Sequence, residues 1–335
     1  MGRMIRSIDR YSMVLLATVL LASVLPCRGA VADALSVTSK VAIALLFFLH
    51  GAKLSREAIL AGLLNWKLHL LVLGCTFVMF PLLGLGLSGL AGQFLTPALV
   101  SGILFLTLLP STVQSSIAFT SIAGGNVPAA VCAASISNMA GIFITPVLAA
   151  VLMHNAGGSA GSLAAIEAIA LQLLLPFIVG HLARPLVGGV IGRNKSVVSL
   201  ADRGSILLVV YTAFSASMVG GIWTSMPPWQ LLAMLVLMAV LLTIVLLFTT
   251  VAARKLGFST EDEAAIVFCG AKKSLASGVP IAGVLFAPEQ VGAIILPLMV
   301  FHQLQLLACA SLAQRYARRA QLKVEVNENA PIGAD

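Results

Sequence analysis

The sequence predicts an all-α polytopic membrane protein, ten transmembrane helices arranged as two inverted five-helix repeats. Three observations carry that expectation. The first is composition: of 335 residues, 59% are hydrophobic and only 10% charged, with a mean hydropathy of +1.05. Soluble domains carry about 25% charged residues, so this chain lacks the polar surface that a soluble enzyme, a nucleic-acid-binding protein or a disordered chain would need. The second is the recurrence of apolar runs of bilayer length. The third is the placement of lysine and arginine between those runs.

A helix needs about 20 apolar residues to cross a hydrocarbon core of roughly 30 Å. Measured that way, spans fall near 11–32, 36–53, 66–90, 97–123, 127–152, 163–183, 203–222, 229–253, 263–287 and 290–313. The first follows Arg3, Arg6 and Arg10 and ends in GAVADA, a pattern that also resembles a signal peptide with a small-residue cleavage site. Connections are short and leave no room for a soluble domain. With the N-terminus inside, sixteen of the twenty basic residues fall in inside segments, only Arg28 and Lys40 fall outside, and Lys272 and Lys273 lie within a span. This asymmetry places both termini on the cytoplasmic side of a bacterial-type inner membrane. It also accounts for the net charge of +8 without invoking nucleic acid.

Ten spans divide as a cytoplasmic N-terminus at 1–10, a first repeat at 11–152, a second at 163–313 and a cytoplasmic tail at 314–335. An odd number per half makes the second half enter from the opposite face, the inverted-repeat design of many secondary transporters. The fourth span is interrupted by PSTVQSS (110–116) and the ninth by GAKKSLASG (270–278), with Pro280 following. Both are polar, helix-breaking stretches in corresponding positions of the two halves.

Irregular backbone at membrane depth must be satisfied within the protein or line a cavity. The interruptions therefore nominate Thr112, Gln114, Ser115 and Ser116 on one side, and Ser274 and Ser277 on the other, as substrate or ion ligands. Ser135 and Asn138, three residues apart on the fifth span, share one helix face and join them. Taken singly, such serines commonly only pack helices together. Lys272 and Lys273 are the sharpest signal, because an ammonium at the bilayer centre costs at least about 2.5–3.5 kcal/mol by insertion scales. Either both face the site at a break in the helix, or one of them snorkels to the interface. His302, Gln303 and Gln305 on the tenth span could relay protons or simply bridge helices.

The five cysteines lie in or beside apolar stretches without metal-ligand spacing and read as small hydrophobes. No nucleotide-binding or hydrolytic motif is present, so neither an enzyme nor a primary pump is expected.

The stretches FFLHGAKLS (47–55), LPSTVQSSIAFTSIAGGNVPAA (109–130), SNMAGIFITPVL (137–148) and FCGAKKSLASGVPIA (268–282) resemble the bile acid:sodium symporter family, specifically its branch of sodium-dependent transporters. The resemblance runs from the first apolar span to about residue 313. It implies a panel domain of spans 1, 2, 6 and 7 and a core domain of spans 3–5 and 8–10, with spans 4 and 9 crossing at their breaks. It also implies a substrate bound between the domains and two sodium ions behind the crossing. The family's serine and asparagine of the fourth span fall on Ser115 and Ser116. Two of its fifth-span hydroxyl ligands fall on Ala130 and Ala134, which leaves Ser135 and Asn138 as the nearest polar substitutes. In the ninth span the family's glutamine and asparagine fall on Lys272 and Lys273, and its acidic ligand falls on Phe268.

The expectation is thus a secondary active transporter of a small organic anion, working by alternating access in a lipid bilayer. Family resemblance makes it a sodium symporter, with Ser115, Ser116 and Asn138 as sodium ligands and no cofactor other than that ion. Two readings stand beside it. A lysine ammonium could replace sodium in a proton-coupled or uncoupled carrier, or the protein could be a non-transporting membrane regulator.

Overall fold

The computed structural model describes residues 10–53, 65–153, 170–221 and 227–328. Most of the predicted N-terminal segment 1–10, the start of the second repeat and the end of the tail therefore lie outside the described residues. The described chain is helical throughout. In order it forms α1 (Arg10–Val24), α2 (Gly29–Lys53), α3 (Trp66–Ala91, with a π-turn at Cys75–Met79), α4 (Pro97–Thr107), α5 (Gln114–Ile122) and α6 (Val127–Leu152). Then follow α7 (Leu175–Arg193, entered through a π-turn at Ala170–Leu174), α8 (Lys195–Val219), α9 (Pro228–Lys255), α10 (Thr260–Gly270), α11 (Leu275–Leu285) and α12 (Pro288–Glu328).

Among the described residues, eight helical stretches are long and apolar enough to cross a membrane, counting Thr260–Leu285 as one. Two shorter apolar helices, Met13–Val24 and Pro97–Thr107, stand where the first and fourth spans were expected. The boundaries depart from the apolar ruler in two places. α1 and α2 meet at residues 25–28, so GAVADA lies inside α2 instead of ending the first span. α7 and α8 run on to a turn at Asn194, longer than the stretches 163–183 and 203–222 suggest. A ruler based on hydropathy stops at the first charge, whereas a helix continues through residues whose long cationic side chains reach water.

Local chemistry sets most of the remaining ends. Asn126 caps α6 by accepting the Ala129 N–H, and Ser259 caps α10 by accepting from Asp262 N–H. Glu261, Asp262 and Glu263 fill the first turn of α10, where the helix dipole favours negative charge. The turns after α5 and α9 need left-handed backbone and have Gly124 (φ +68°) and Gly257 (φ +74°) there.

α2 and α7 form the most intimate pair, with Gly51 lying against the Phe177 carbonyl and Gly180 against the Phe48 carbonyl. α8 packs on α1 and α2 on one side and on α11 and α12 on the other. α10 is surrounded by α3, α5, α6 and α9, and its residues from Glu263 to Gly270 are all buried. Large apolar side chains such as Leu182 and Leu186 are instead 72% and 84% exposed, as expected of a surface that faces lipid.

At one end of the bundle the carboxylate of Glu263 (α10) accepts hydrogen bonds from Arg254 Nε (2.9 Å) and Nη2 (2.8 Å) of α9 and from the Tyr316 hydroxyl (2.5 Å) of α12. Glu263 is 6% exposed in its side chain and Arg254 is 54% exposed, so the arginine keeps its water if the carboxylate is lost. Glu263→Ala is therefore expected to cost only about 1–2 kcal/mol, chiefly because the Tyr316 hydroxyl loses its 2.5 Å carboxylate acceptor and keeps only Thr250 and Arg254 beside it. Tyr316→Phe in the same background should restore part of that loss. Thermal unfolding midpoints of the two variants in detergent check both statements.

Candidate functional site

Two helix breaks, α4–α5 at residues 108–113 and α10–α11 at residues 271–274, lie against each other in the middle of the bundle. Each supplies the hydrogen-bond partners that the other lacks. The end of α4 exposes carbonyls that no helical N–H reaches. Leu108 O accepts from the Thr145 hydroxyl at 2.7 Å. Leu109 O accepts from Lys273 Nζ at 2.7 Å. Pro110 O accepts from the Ser274 N–H at 2.8 Å. The end of α10 is answered in kind: Ser116 Oγ donates to Phe268 O (2.6 Å) and Ser111 Oγ to Cys269 O (2.5 Å). The freed Ser111 N–H donates to Ser137 Oγ at 3.1 Å. The broken backbone is thereby satisfied inside the protein, the condition that the bilayer imposes on it.

Lys272 and Lys273 both sit in the second break and neither reaches the surface, each being 0% exposed. The snorkelling alternative is thus not realised. They point to different places. Lys272 Nζ donates to Ser115 Oγ at 3.0 Å and stands 4.2 Å from the Phe119 ring centroid. Lys273 Nζ donates to the backbone carbonyls of Thr76 (2.8 Å), Thr107 (2.8 Å) and Leu109 (2.7 Å), and its ammonium lies 4.1 Å from the Phe80 ring centroid. A ring face of this kind attracts a cation.

The other predicted residues fall into two bonded clusters and two outliers. Thr112 and Ser115 share a hydrogen bond of 2.5 Å, and with Ser116 they form the Lys272 side. Asn138 Oδ1 accepts from Ser277 Oγ (2.7 Å), which in turn accepts from Ser274 Oγ (3.1 Å). The three residues offered as sodium ligands are therefore divided, Ser115 and Ser116 in one cluster and Asn138 in the other. Ser135 is half-buried on α6 and outside both clusters. Gln114, at the start of α5, is exposed and lines a cavity of about 980 Å³. Across that cavity lie Ala52 of α2, His181 and Arg184 of α7 and Asp202 of α8. His302 Nδ1 accepts from Gln305 Nε2 at 2.9 Å, while Gln303 Nε2 is buried without a hydrogen-bond partner.

The reading of the sequence missed the partners of one named residue and two participants altogether. Gln305 clamps the second break, its Oε1 accepting the Lys273 N–H and its Nε2 donating to the Lys273 carbonyl, both at 3.0 Å. Read from the sequence only as a relay or a bridge between helices, it gave no hint of a partner 32 residues away. Thr145 reaches Leu108 across a sequence separation of 37. Thr76 contributes through its backbone, and only a proline offered a signal. The π-turn bonds Phe80 N–H to Cys75 O, so the Thr76 carbonyl would next look to residue 81, which is Pro81 and has no N–H.

The chain is 58% identical over 311 residues to "Uncharacterized protein PA2026" of Pseudomonas aeruginosa, covering 93% of each chain. It is 50% identical over 319 residues to "Putative symporter YfeH" of Escherichia coli (strain K12), covering 95% of this chain and 96% of the other. It is 28% identical over 278 residues to "Sodium/bile acid cotransporter 7" of Rattus norvegicus, covering 80% of each. The profile of the SBF-like CPA transporter family matches residues 9–318, nearly the whole chain, and the protein belongs to that family.

Proposed function

We propose that the protein is a secondary active transporter that carries a small organic anion by alternating access. Ten spans in two inverted repeats form its frame, with α1, α2, α7 and α8 as the panel and the other helices as the core. Both termini lie on the cytoplasmic side of the inner membrane. The anion binds at the crossing of the broken helices and reaches it through the cavity between Gln114 and Arg184. Sodium is the coupling ion that the names of the cotransporter relatives bring to this chain.

One observation carries the substrate class. The Lys272 ammonium is fully buried, spends one hydrogen bond on Ser115, and keeps donors for an anion. Its serine and Gln114 open α5, and Ser274 opens α11, so two helix N-termini add partial positive charge to the lysine's. Buried charge of one sign with no carboxylate bonded to it favours a ligand of the other sign.

The test is ligand-dependent thermal stability of the purified protein in detergent. Its panel holds mono- and dicarboxylates, sulfonates and bile acids, with choline and neutral sugars as controls. An anion at 100 times its dissociation constant should stabilise by about 2.7 kcal/mol. Lys272→Gln is expected to lose that shift while retaining the fold. Stabilisation by the cationic or neutral compounds alone, or an unchanged anion shift in Lys272→Gln, overturns the proposal.

A further inference from the structure

The two adjacent lysines are not equivalent. Lys272 has one hydroxyl partner. Lys273 has three acceptors for its three N–H donors, and all three are main-chain carbonyls. Each of those carbonyls is free for a reason written in the backbone. Thr107 is the last residue of α4 and Leu109 lies in the break beyond it. Thr76 lies in the π-turn of α3 and is followed five residues later by Pro81. Three carbonyl dipoles from two separate helices thus turn their negative ends on one point, with the face of Phe80 beside it. A convergence of backbone carbonyls is how proteins replace the hydration shell of a small monovalent cation. Here the cation is covalently attached.

We propose that the Lys273 ammonium is a tethered cation occupying a carbonyl-built cation site at the crossing of the broken helices. The intact protein then takes no free sodium ion at that point, and removing the side chain turns the cage into a binding site for a small primary ammonium ion. The proposal deepens the transporter reading, since it removes one sodium ion from the coupling stoichiometry. For that consequence alone it rests on the reading; the cage itself stands on the geometry of Thr76, Thr107 and Leu109. A neutral amine has only two N–H donors and would leave one of the three carbonyls without one. The other lysine cannot take over, because its stem leads to Ser115 and Phe119 on the far side of the break.

Chemical rescue tests it. Lys273→Ala removes three carbons and the nitrogen, which is the size of n-propylammonium. The full-length protein and this variant are purified in detergent. Their thermal midpoints are recorded in sodium, potassium, choline and n-propylammonium chlorides at one ionic strength. The intact protein is expected to gain nothing from propylammonium over choline. Lys273→Ala should show a lowered midpoint in choline and recover at least half of the loss, saturably, in propylammonium. If the variant folds only when propylammonium is present throughout purification, that recovery supports the proposal equally. A propylammonium-dependent rise in the intact protein overturns it, as does a folded Lys273→Ala that gains no more from sodium or propylammonium than the intact protein does. Should Lys273→Ala be recovered in no salt, Lys273→Ser takes its place; a propylammonium-dependent rise there supports the cage, and indifference overturns it. Running the anion panel on the same samples keeps the two proposals apart. An anion shift with failed rescue sinks only the tethered cation, and rescue without an anion shift sinks only the substrate class.

Discussion

Gly180→Val is expected to lower the thermal midpoint by the equivalent of about 3 kcal/mol or more. In a bilayer helices gain little from burying apolar groups against one another, so pairs that hold do so by close approach over small residues. At the crossing of α2 and α7 the approach is backbone to backbone. A Cβ built on Gly180 meets the Phe48 carbonyl carbon and oxygen, and one on Gly51 meets the Phe177 carbonyl and the His181 nitrogen. No side chain is there to swing aside, so α2 and α7 must separate. Overpacking usually costs about 1–3 kcal/mol where neighbours can adjust, and here the cost should lie at or beyond the top of that range. Gly189 is on the same helix with open space around it, so Gly189→Val controls for the loss of glycine itself. Equal midpoints for the two valine variants would show that the crossing tolerates separation, contrary to the argument.

The second large effect is expected for Gln305→Leu. This exchange removes an acceptor from the Lys273 N–H and a donor from the Lys273 carbonyl in a fully buried break. Each orphaned group costs about 1–3 kcal/mol, so the pair should cost about 2–6 kcal/mol. Gln303→Leu, two residues away, replaces an amide whose nitrogen is already buried without a partner. It should be neutral or stabilising. The contrast between two glutamines on one helix, read as thermal midpoints in detergent, separates the clamp from a general need for polarity on α12.

What could be read from the chain before its structure follows from the range of the forces involved. Apolar helical stretches, the two breaks and the place of Lys272 and Lys273 within the second break were legible because they rest on composition and on proline, glycine and serine within a few residues; whether one lysine snorkelled was not. Nor was the fate of each. That Lys272 turns to Ser115 and Lys273 to Thr76, Thr107 and Leu109 depends on contacts between residues more than 150 apart. Main-chain carbonyls carry no residue identity, so the cage around Lys273 had no signature except Pro81. Grouping Ser115, Ser116 and Asn138 as one ion site followed from the family resemblance, which places two ligands on the serines and leaves Asn138 as a nearby polar substitute. It did not foresee that Ser277 would engage Asn138 and that Phe268 O would take the Ser116 hydroxyl. The lengths of α7 and α8 escaped for a different reason, since hydropathy measures the slab and not the helix.

The reciprocal bonding of the two breaks also governs how the chain can be assembled. α4 is synthesised long before its partners: Lys273 follows Thr107 by 166 residues, Cys269 follows Ser111 by 158 and Phe268 follows Ser116 by 152. A ribosome adds about 5–20 residues per second, so for roughly ten seconds or more the nascent first half stands with bare carbonyls at bilayer depth. Closing a loop of that length costs entropy before any contact repays it. The crossing therefore cannot close until α10 and α11 have both been made. Until it forms, water or the insertion machinery must shelter those oxygens, and the order of translation leaves the most finely bonded region of the protein exposed the longest.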